Sequence, residues 1–217
     1  MAALSGMRFE EWEPFYREIL RDFGYDRSRD EEAAVLLDSL LASEPVPDRE
    51  LDTILRGRPV AVAGNAPGLR DQLAKMEGVV ITADEATSVI QPRRKPDLIV
   101  TDLDGTVEDQ VRANRLGSVA VIHAHGDNMD ALRRWVPEFT GPVVGTTQSA
   151  PVGRIRNYGG FTDGDRAVCL AAHFGASPIR LHGFDFERPN PKDGDLETKQ
   201  RKLDWAYIIV SAVAPQE

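Results

Sequence analysis

The segment Lys95-Pro96-Asp97-Leu98-Ile99-Val100-Thr101-Asp102-Leu103-Asp104-Gly105-Thr106 leaves its backbone few choices. Pro96 biases Lys95 toward extended geometry. Leu98-Ile99-Val100 is a short apolar run rich in β-branched residues, which reads as a strand buried in a parallel sheet. The run ends in two carboxylates, Asp102 and Asp104, and a glycine. Open α/β sheets bind ligands outside the carboxyl ends of their strands. Residues two apart on an extended chain face the same side, so Asp102 and Asp104 form a pair of hard oxygen ligands. Such a pair suits Mg²⁺, which is held by one or two carboxylates together with substrate phosphates. The same Asp-x-Asp-Gly pattern also makes a turn, because Asp bonds nearby backbone and Gly accepts positive φ.

Other segments repeat this grammar of apolar run, polar end and helix. Val60-Ala61-Val62-Ala63 is a first strand, followed by the turn Gly64-Asn65-Ala66-Pro67-Gly68-Leu69 and a helix over 69–76. A glycine turn between strand and helix can cradle a phosphate through backbone N–H groups and the helix dipole. It is neither the dinucleotide fingerprint nor a P-loop. Residues 79–82 form a second strand, after which Asp84 stands either as a ribose ligand or as a helix cap. The central segment is the third strand, with its helix over 107–116. Residues 118–122 form the fourth strand and run into His123-Ala124-His125-Gly126-Asp127-Asn128. Two histidines two apart with an Asp nearby fit a zinc site. The same residues also fit Asp127 at Mg²⁺, or capping the helix 128–135, with His123 and His125 on phosphate. Residues 142–144 form the fifth strand, ending Gly145-Thr146-Thr147-Gln148, whose hydroxyls and amide can read the edge of a heterocycle. The glycine-rich stretch 157–166 contains Asn157, Phe161, Asp163 and Arg166. It leads into a helix over 167–174 capped by Thr162 or Asp163, with Arg166 in reach of phosphate. The last strand, 179–186, carries Asp185 at its end. A polar loop over 188–198 precedes a final amphipathic helix opened by Lys199, Arg201 and Lys202. Strands alternating with helices imply a doubly wound, mostly parallel α/β sheet.

Residues 8–56 read as helical instead. Trp12, Phe15, Tyr16, Ile19, Leu20 and Phe23 recur at helical spacing until Gly24. A second helix spans 28–42, with Ser28 and Glu31 matching a capping box, and a short one runs through Leu51, Ile54 and Leu55. The chain therefore divides into an N-terminal helical segment, 1–57, that caps the sheet or forms an oligomer contact, and an α/β catalytic domain, 58–217. Residues 1–6 read as a leader.

A net charge of −9 and a pI near 5.0 exclude a general nucleic-acid binder, which needs a basic surface. The single cysteine, Cys169, rules out an intrachain disulfide or a cysteine metal cluster and points to the cytoplasm. No apolar run has membrane-spanning length, and no signal-peptide core opens the chain.

Taken in order, these clusters resemble the archaeal 6-hydroxymethyl-7,8-dihydropterin diphosphokinase family, distantly similar to the catalytic domain of thiamin pyrophosphokinase. The residues that carry the resemblance are Gly64–Leu69, Pro96–Gly105, His123–Asn128, Gly145–Gln148, Asn157–Arg166, Gly183–Phe186, and Lys199 with Lys202 and Leu203. The turn Asn65-Ala66-Pro67-Gly68 departs from the Gly-Pro-Ser type expected, losing a hydroxyl. The resemblance implies transfer of a diphosphoryl group from ATP to the hydroxymethyl of a reduced pterin, with release of AMP, in tetrahydromethanopterin or folate biosynthesis. It implies Mg²⁺ on Asp102, Asp104 and Asp127. It also implies ATP contacts from Gly64, Asn65, Pro67, Gly68, Asp84, His123, His125, Lys199 and Lys202, with Arg166 neutralising phosphate charge. Asp127 or a nearby His would accept the hydroxyl proton, and Thr147, Gln148, Asn157, Phe161, Asp163 and Asp185 would form the pterin site. A homodimer is compatible with this reading. Thiamin as acceptor, a metal-dependent hydrolase built on His123 and His125, and a non-catalytic nucleotide-binding module are the alternatives.

Overall fold

The structure is a computed structural model that describes residues 6–190 and 194–214. The expected leader falls largely outside the described residues, as do 191–193 of the polar loop. Three helices, α1 (Phe9–Phe23), α2 (Arg27–Leu40) and α3 (Asp48–Leu55), precede the sheet. The six strands are β1 (Val60–Ala63), β2 (Val79–Ala83), β3 (Leu98–Thr101), β4 (Val119–Ala124), β5 (Val143–Thr147) and β6 (Ile179–His182). All pair in parallel, in the order β5-β4-β3-β2-β1-β6. The helices between them are α4 (Leu69–Gln72), α5 (Ala86–Ile90), α6 (Val107–Arg115), α7 (Met129–Trp135) and α8 (Asp163–His173), with α9 (Leu196–Val213) last.

This order decides where the helices go. From β1 to β5 each strand steps the same way, so right-handed crossovers put α4 to α7 on one face. The return from β5 to β6 runs the opposite way and lays α8 on the other face, against β1, β2 and β3. The strands alternate accordingly. Val60, Val62, Val79, Ile81, Leu98 and Val100 pack with α8 and α9. Ala61, Ala63 and Val80 meet α4 and α5, and Ala120, Ile122 and Val143 meet α6 and α7. The N-terminal helices join these same layers. Trp12, Tyr16 and Ile19 of α1 are fully buried in the α8 layer, while Ala33, Ala34 and Leu37 of α2 are buried against β4 and β5 on the other. The segment thus clasps the β5 edge of the sheet.

Several local readings change. The cap of α2 is Asp26, whose side chain accepts the Ser28 N–H at 2.9 Å; Ser28 lies inside the first turn, and Glu31 instead accepts from the Ser149 hydroxyl. The expected helix over 69–76 is four residues followed by a 3-10 turn, Leu73–Lys75. So short a helix supplies little dipole to the glycine turn. The last strand stops at His182, because Gly183 turns at φ +65° with Leu69 packed against it. Helix α8 begins four residues earlier than expected. Thr162 is its cap, and the Asp165 carboxylate accepts the Thr162 N–H at 2.6 Å and the Phe161 N–H at 3.0 Å.

Candidate active site

Asp84 follows β2, Asp102 follows β3, and Asp163 opens α8. Their carboxylate oxygens lie within 4.8 Å of one another, forming the only three-ligand group among the described residues. Asp104 and Asp127 do not join it. Extended geometry would have paired Asp102 with Asp104, but the chain leaves the strand at Leu103, which adopts φ +68°. This conformation is costly for a branched side chain and is held by burial of Leu103 and by its N–H bond to Thr101 Oγ1 at 2.8 Å. Asp104 is thereby sent to solvent, where it accepts the Gly105 N–H. Asp84 also has positive φ, +43°. Its carboxylate accepts from Thr101 Oγ1 at 3.0 Å and Gln110 Nε2 at 2.7 Å. Asp163 accepts the Asp102 N–H at 3.3 Å through Oδ2, while its buried Oδ1 has no hydrogen-bond donor among the described residues.

The electrostatics follow from crowding three acids in a partly dry site. Burial, then the charges of Asp163 and Asp102, pushes the Asp84 carboxyl up to about 8. Burial and Asp102 push Asp163 up to about 7. Burial would raise Asp102 as well, but His125, Arg166 and Lys202 outweigh it and hold that group below the usual carboxylate range. Three crowded carboxylates, two of which resist ionisation and one of which has an orphaned oxygen, match a hard divalent cation.

A cavity of about 110 Å³ opens beside Asp102. Its lining mixes charges of both signs, Asp26, Arg29, Asp30, His125, Asp127, Arg166 and Lys202, with Tyr25, Gln148 and Phe161; Lys202 Nζ lies 6.0 Å from the centre of the Phe161 ring. His125 Nε2 lies 3.5 Å from Asp102 Oδ2, and its Nδ1 accepts the Asp127 N–H at 3.3 Å. Arg166 is pinned by two carbonyls, Gly160 and Phe161, at 2.8 Å each. Its Nε faces Asp163 Oδ1 at 3.7 Å without a hydrogen bond. The guanidinium therefore shapes the glycine loop and neutralises the acids at once.

A second, more open depression of about 290 Å³ is lined by Asn65, Ala66, Pro67, Leu69, Arg70, Val89 and Asn190. Asn65 Nδ2 donates to Glu85 Oε2 at 2.5 Å, next to Asp84, which ties this depression to the acid trio.

The remaining predicted residues stand elsewhere. His123 is fully buried behind the cavity, with Nδ1 3.2 Å from Thr146 Oγ1; burial first, then Arg166 and His125, keep it neutral. Thr147 Oγ1 and Asn157 are spent on the loop backbone, at Ser149 and Gly159. Asp185 caps a turn through the Glu187 and Arg188 N–H groups. Gly64 allows close approach to Gly183, and Gly68 lines neither cavity. Lys199 lines neither cavity either. Conversely, Tyr25, Arg29 and Asp30 come from the helical segment, where no catalytic cluster was legible. An acid in a helix's first turn is ordinary dipole complementation, so nothing in the sequence singled out Asp30.

The model of the family described as 6-hydroxymethylpterin diphosphokinase MptE-like matches residues 41–191. The chain belongs to this family. Three archaeal relatives, each named 6-hydroxymethyl-7,8-dihydropterin pyrophosphokinase, agree with that placement. The Methanothermobacter thermautotrophicus protein is 46% identical, covering 94% of this chain and 94% of its own length. The Pyrococcus furiosus protein is 45% identical over 94% of this chain and 93% of its own length. The Methanocaldococcus jannaschii protein is 36% identical over 94% and 95%. Within the MptE-like family model the matched residues include Asp84, Asp102 and Asp163, whereas Tyr25, Asp30 and Lys202 lie outside it. No helix among the described residues is long and apolar enough to cross a membrane.

Proposed function

We propose that the chain is an ATP-dependent diphosphotransferase that acts on 6-hydroxymethyl-7,8-dihydropterin and releases AMP. The observation that carries this reading is the acid trio, with its orphaned Asp163 oxygen, beside a cavity that Asp102 lines together with Arg166, Lys202, Gln148 and Phe161. Asp84, Asp102 and Asp163 would hold Mg²⁺, in place of the set Asp102, Asp104 and Asp127. Held there, the ion would supply charge neutralisation for the transferred group. The hydroxymethyl oxygen bonds to the β-phosphorus, the bridge between the α- and β-phosphates breaks, and AMP departs. Such transfer is catalysed by positioning and electrostatics rather than by covalent help. Arg166 Nε and Lys202 face the developing charge. His125, whose Nδ1 is an acceptor in this structure, keeps its Nε2 proton on Asp102. The Asp127 carboxylate at the cavity rim is then the group that receives the hydroxyl proton. The nucleoside of ATP lies toward the Asn65 depression and the pterin beside Phe161 and Gln148. On this reading the enzyme works in the cytoplasm, feeds reduced-pterin coenzyme synthesis, and a homodimer is compatible with it.

The test is product analysis with ATP, Mg²⁺ and either the reduced pterin or thiamin. AMP with diphosphorylated pterin is the expected outcome. AMP with thiamin diphosphate alone would keep the mechanism and replace the acceptor; no AMP with either would overturn the reading.

A further inference from the structure

Asp30 occupies an unusual place for a surface-helix acid. It lies in the first turn of α2, is 4% exposed, and lines the cavity. Oδ1 accepts the Gly126 N–H at 2.8 Å. Oδ2 accepts the Tyr16 hydroxyl at 2.6 Å and Gln148 Nε2 at 2.8 Å. Oδ2 accepts both bonds, so the Gln148 amide turns its NH₂ toward Asp30. Its Oε1 is thereby left without a donor among the described residues, in a side chain that lines the cavity. The Gln148 backbone is itself held by Trp12 Nε1, which donates to its carbonyl at 2.8 Å. Burial and the Asp30 carboxylate keep the Tyr16 phenol protonated, as a donor.

We infer that Asp30 is a positioning residue for acceptor specificity: by locking the Gln148 amide, it presents a fixed hydrogen-bond acceptor that selects heterocycles with an N–H donor edge. This inference rests on the proposed function and adds to it the element that reads the acceptor. A lactam N–H or ring amine satisfies Gln148 Oε1. A ring that offers only acceptor nitrogens there leaves two acceptors facing each other, which a buried site rejects strongly. The discriminating element is thus α2, outside the α/β domain.

The chemistry predicts a reversible flip. In Asp30→Asn the fixed Gly126 N–H claims the introduced amide's oxygen, which puts that amide's NH₂ toward Gln148. Gln148 must then turn its own oxygen to this NH₂ and its own NH₂ to the cavity. Tyr16 can rotate its hydroxyl and accept. Shape is unchanged while the polarity of the reader is inverted. Steady-state kinetics on the full chain should show the KM for the pterin raised about 10- to 100-fold. The KM for ATP and the melting temperature should stay near wild type. In the double variant Asp30→Asn/Gln148→Glu, the introduced carboxylate accepts from the introduced amide's NH₂ and again faces the cavity as an acceptor. It should recover pterin KM to within a few-fold of wild type. A merely structural role would move the melting temperature and both KM values together, and the double variant would not rescue it; either result overturns the inference. An unchanged pterin KM in Asp30→Asn, with the wild type active, overturns this inference alone. A wild type that turns over no pterin overturns it together with the proposed function.

Discussion

Asp102 and Asp104 are chemically equal and two residues apart, yet only one belongs to the acid trio. Between them the chain turns at Leu103, with φ +68°. On the proposed function, Asp84→Asn, Asp102→Asn or Asp163→Asn would each remove a ligand of the proposed divalent cation and should lower turnover on the order of 10³-fold, as loss of metal-borne charge stabilisation should. Asp104→Ala should retain turnover within a few-fold. Steady-state AMP release with calorimetric Mg²⁺ titration decides it; an inactive Asp104→Ala, or an active Asp102→Asn, would return the ion to the Asp102–Asp104 pair. Arg166 shows the same scale of decision. Its sequence position in the first turn of α8 suggested phosphate contact, but two of its nitrogens are spent on the Gly160 and Phe161 carbonyls. Lys cannot reproduce that fork. Arg166→Lys should therefore lose activity on the order of 10²-fold and lower the melting temperature, checked by kinetics and thermal unfolding side by side.

Helix α8 delivers Asp163 and Arg166 to the strand ends only because the loop before it turns sharply. Gly160 has φ +97°, and a Cβ there would overlap the Arg166 Cα. Both torsion and space demand glycine. Gly160→Ala should cost on the order of 2 kcal/mol or more and pull Asp163 off the trio, so stability to denaturant and Mg²⁺ affinity should fall together. A variant with wild-type Mg²⁺ affinity would show that the loop does not position the acids. The β1–α4 turn is the counter-case: its glycines suggested a phosphate cradle, but α4 is one turn long and Gly64 is required by contact with Gly183 and Phe184.

The molecule is clasped by its own N-terminal helices. Trp12, Tyr16, Ile19 and Leu37 are fully buried against the sheet layers. A chain beginning at residue 41, where the family model begins, would expose those surfaces at about 2 kcal/mol per large side chain and lose its cooperative unfolding transition. A sharp melt from that truncation would refute the clasp. The acid trio also writes itself into global stability. Asp84 and Asp163 keep protons in the folded chain at pH values where unfolded carboxyls, near pKa 4, have lost them. Unfolding then releases protons, so metal-free stability falls as pH rises from about 4 through 8. Thermal melts in chelator across that range should show the decline. Mg²⁺ should oppose it most at the alkaline end, and Asp84→Asn should flatten it.

The fold class was legible because a parallel sheet buries its strands on both faces, and the resulting apolar runs at 60–63, 79–82 and 98–100 have no other reading of that length and composition. Of the residues that line the cavity, Asp102, Arg166 and Gln148 were legible too, each at a strand end or helix start that local chemistry marks, whereas Lys202 lies in the second turn of α9. The partners of Asp102 were not legible. Asp84 and Asp163 come from segments 18 and 61 residues away, joined only because the crossover after β5 reverses direction and brings α8 over β2 and β3. Asp30 was hidden for the same reason. Local pattern reports which face of an element is apolar; which acids meet is set by sheet order and crossover hand, properties of the assembled layers that no single segment contains.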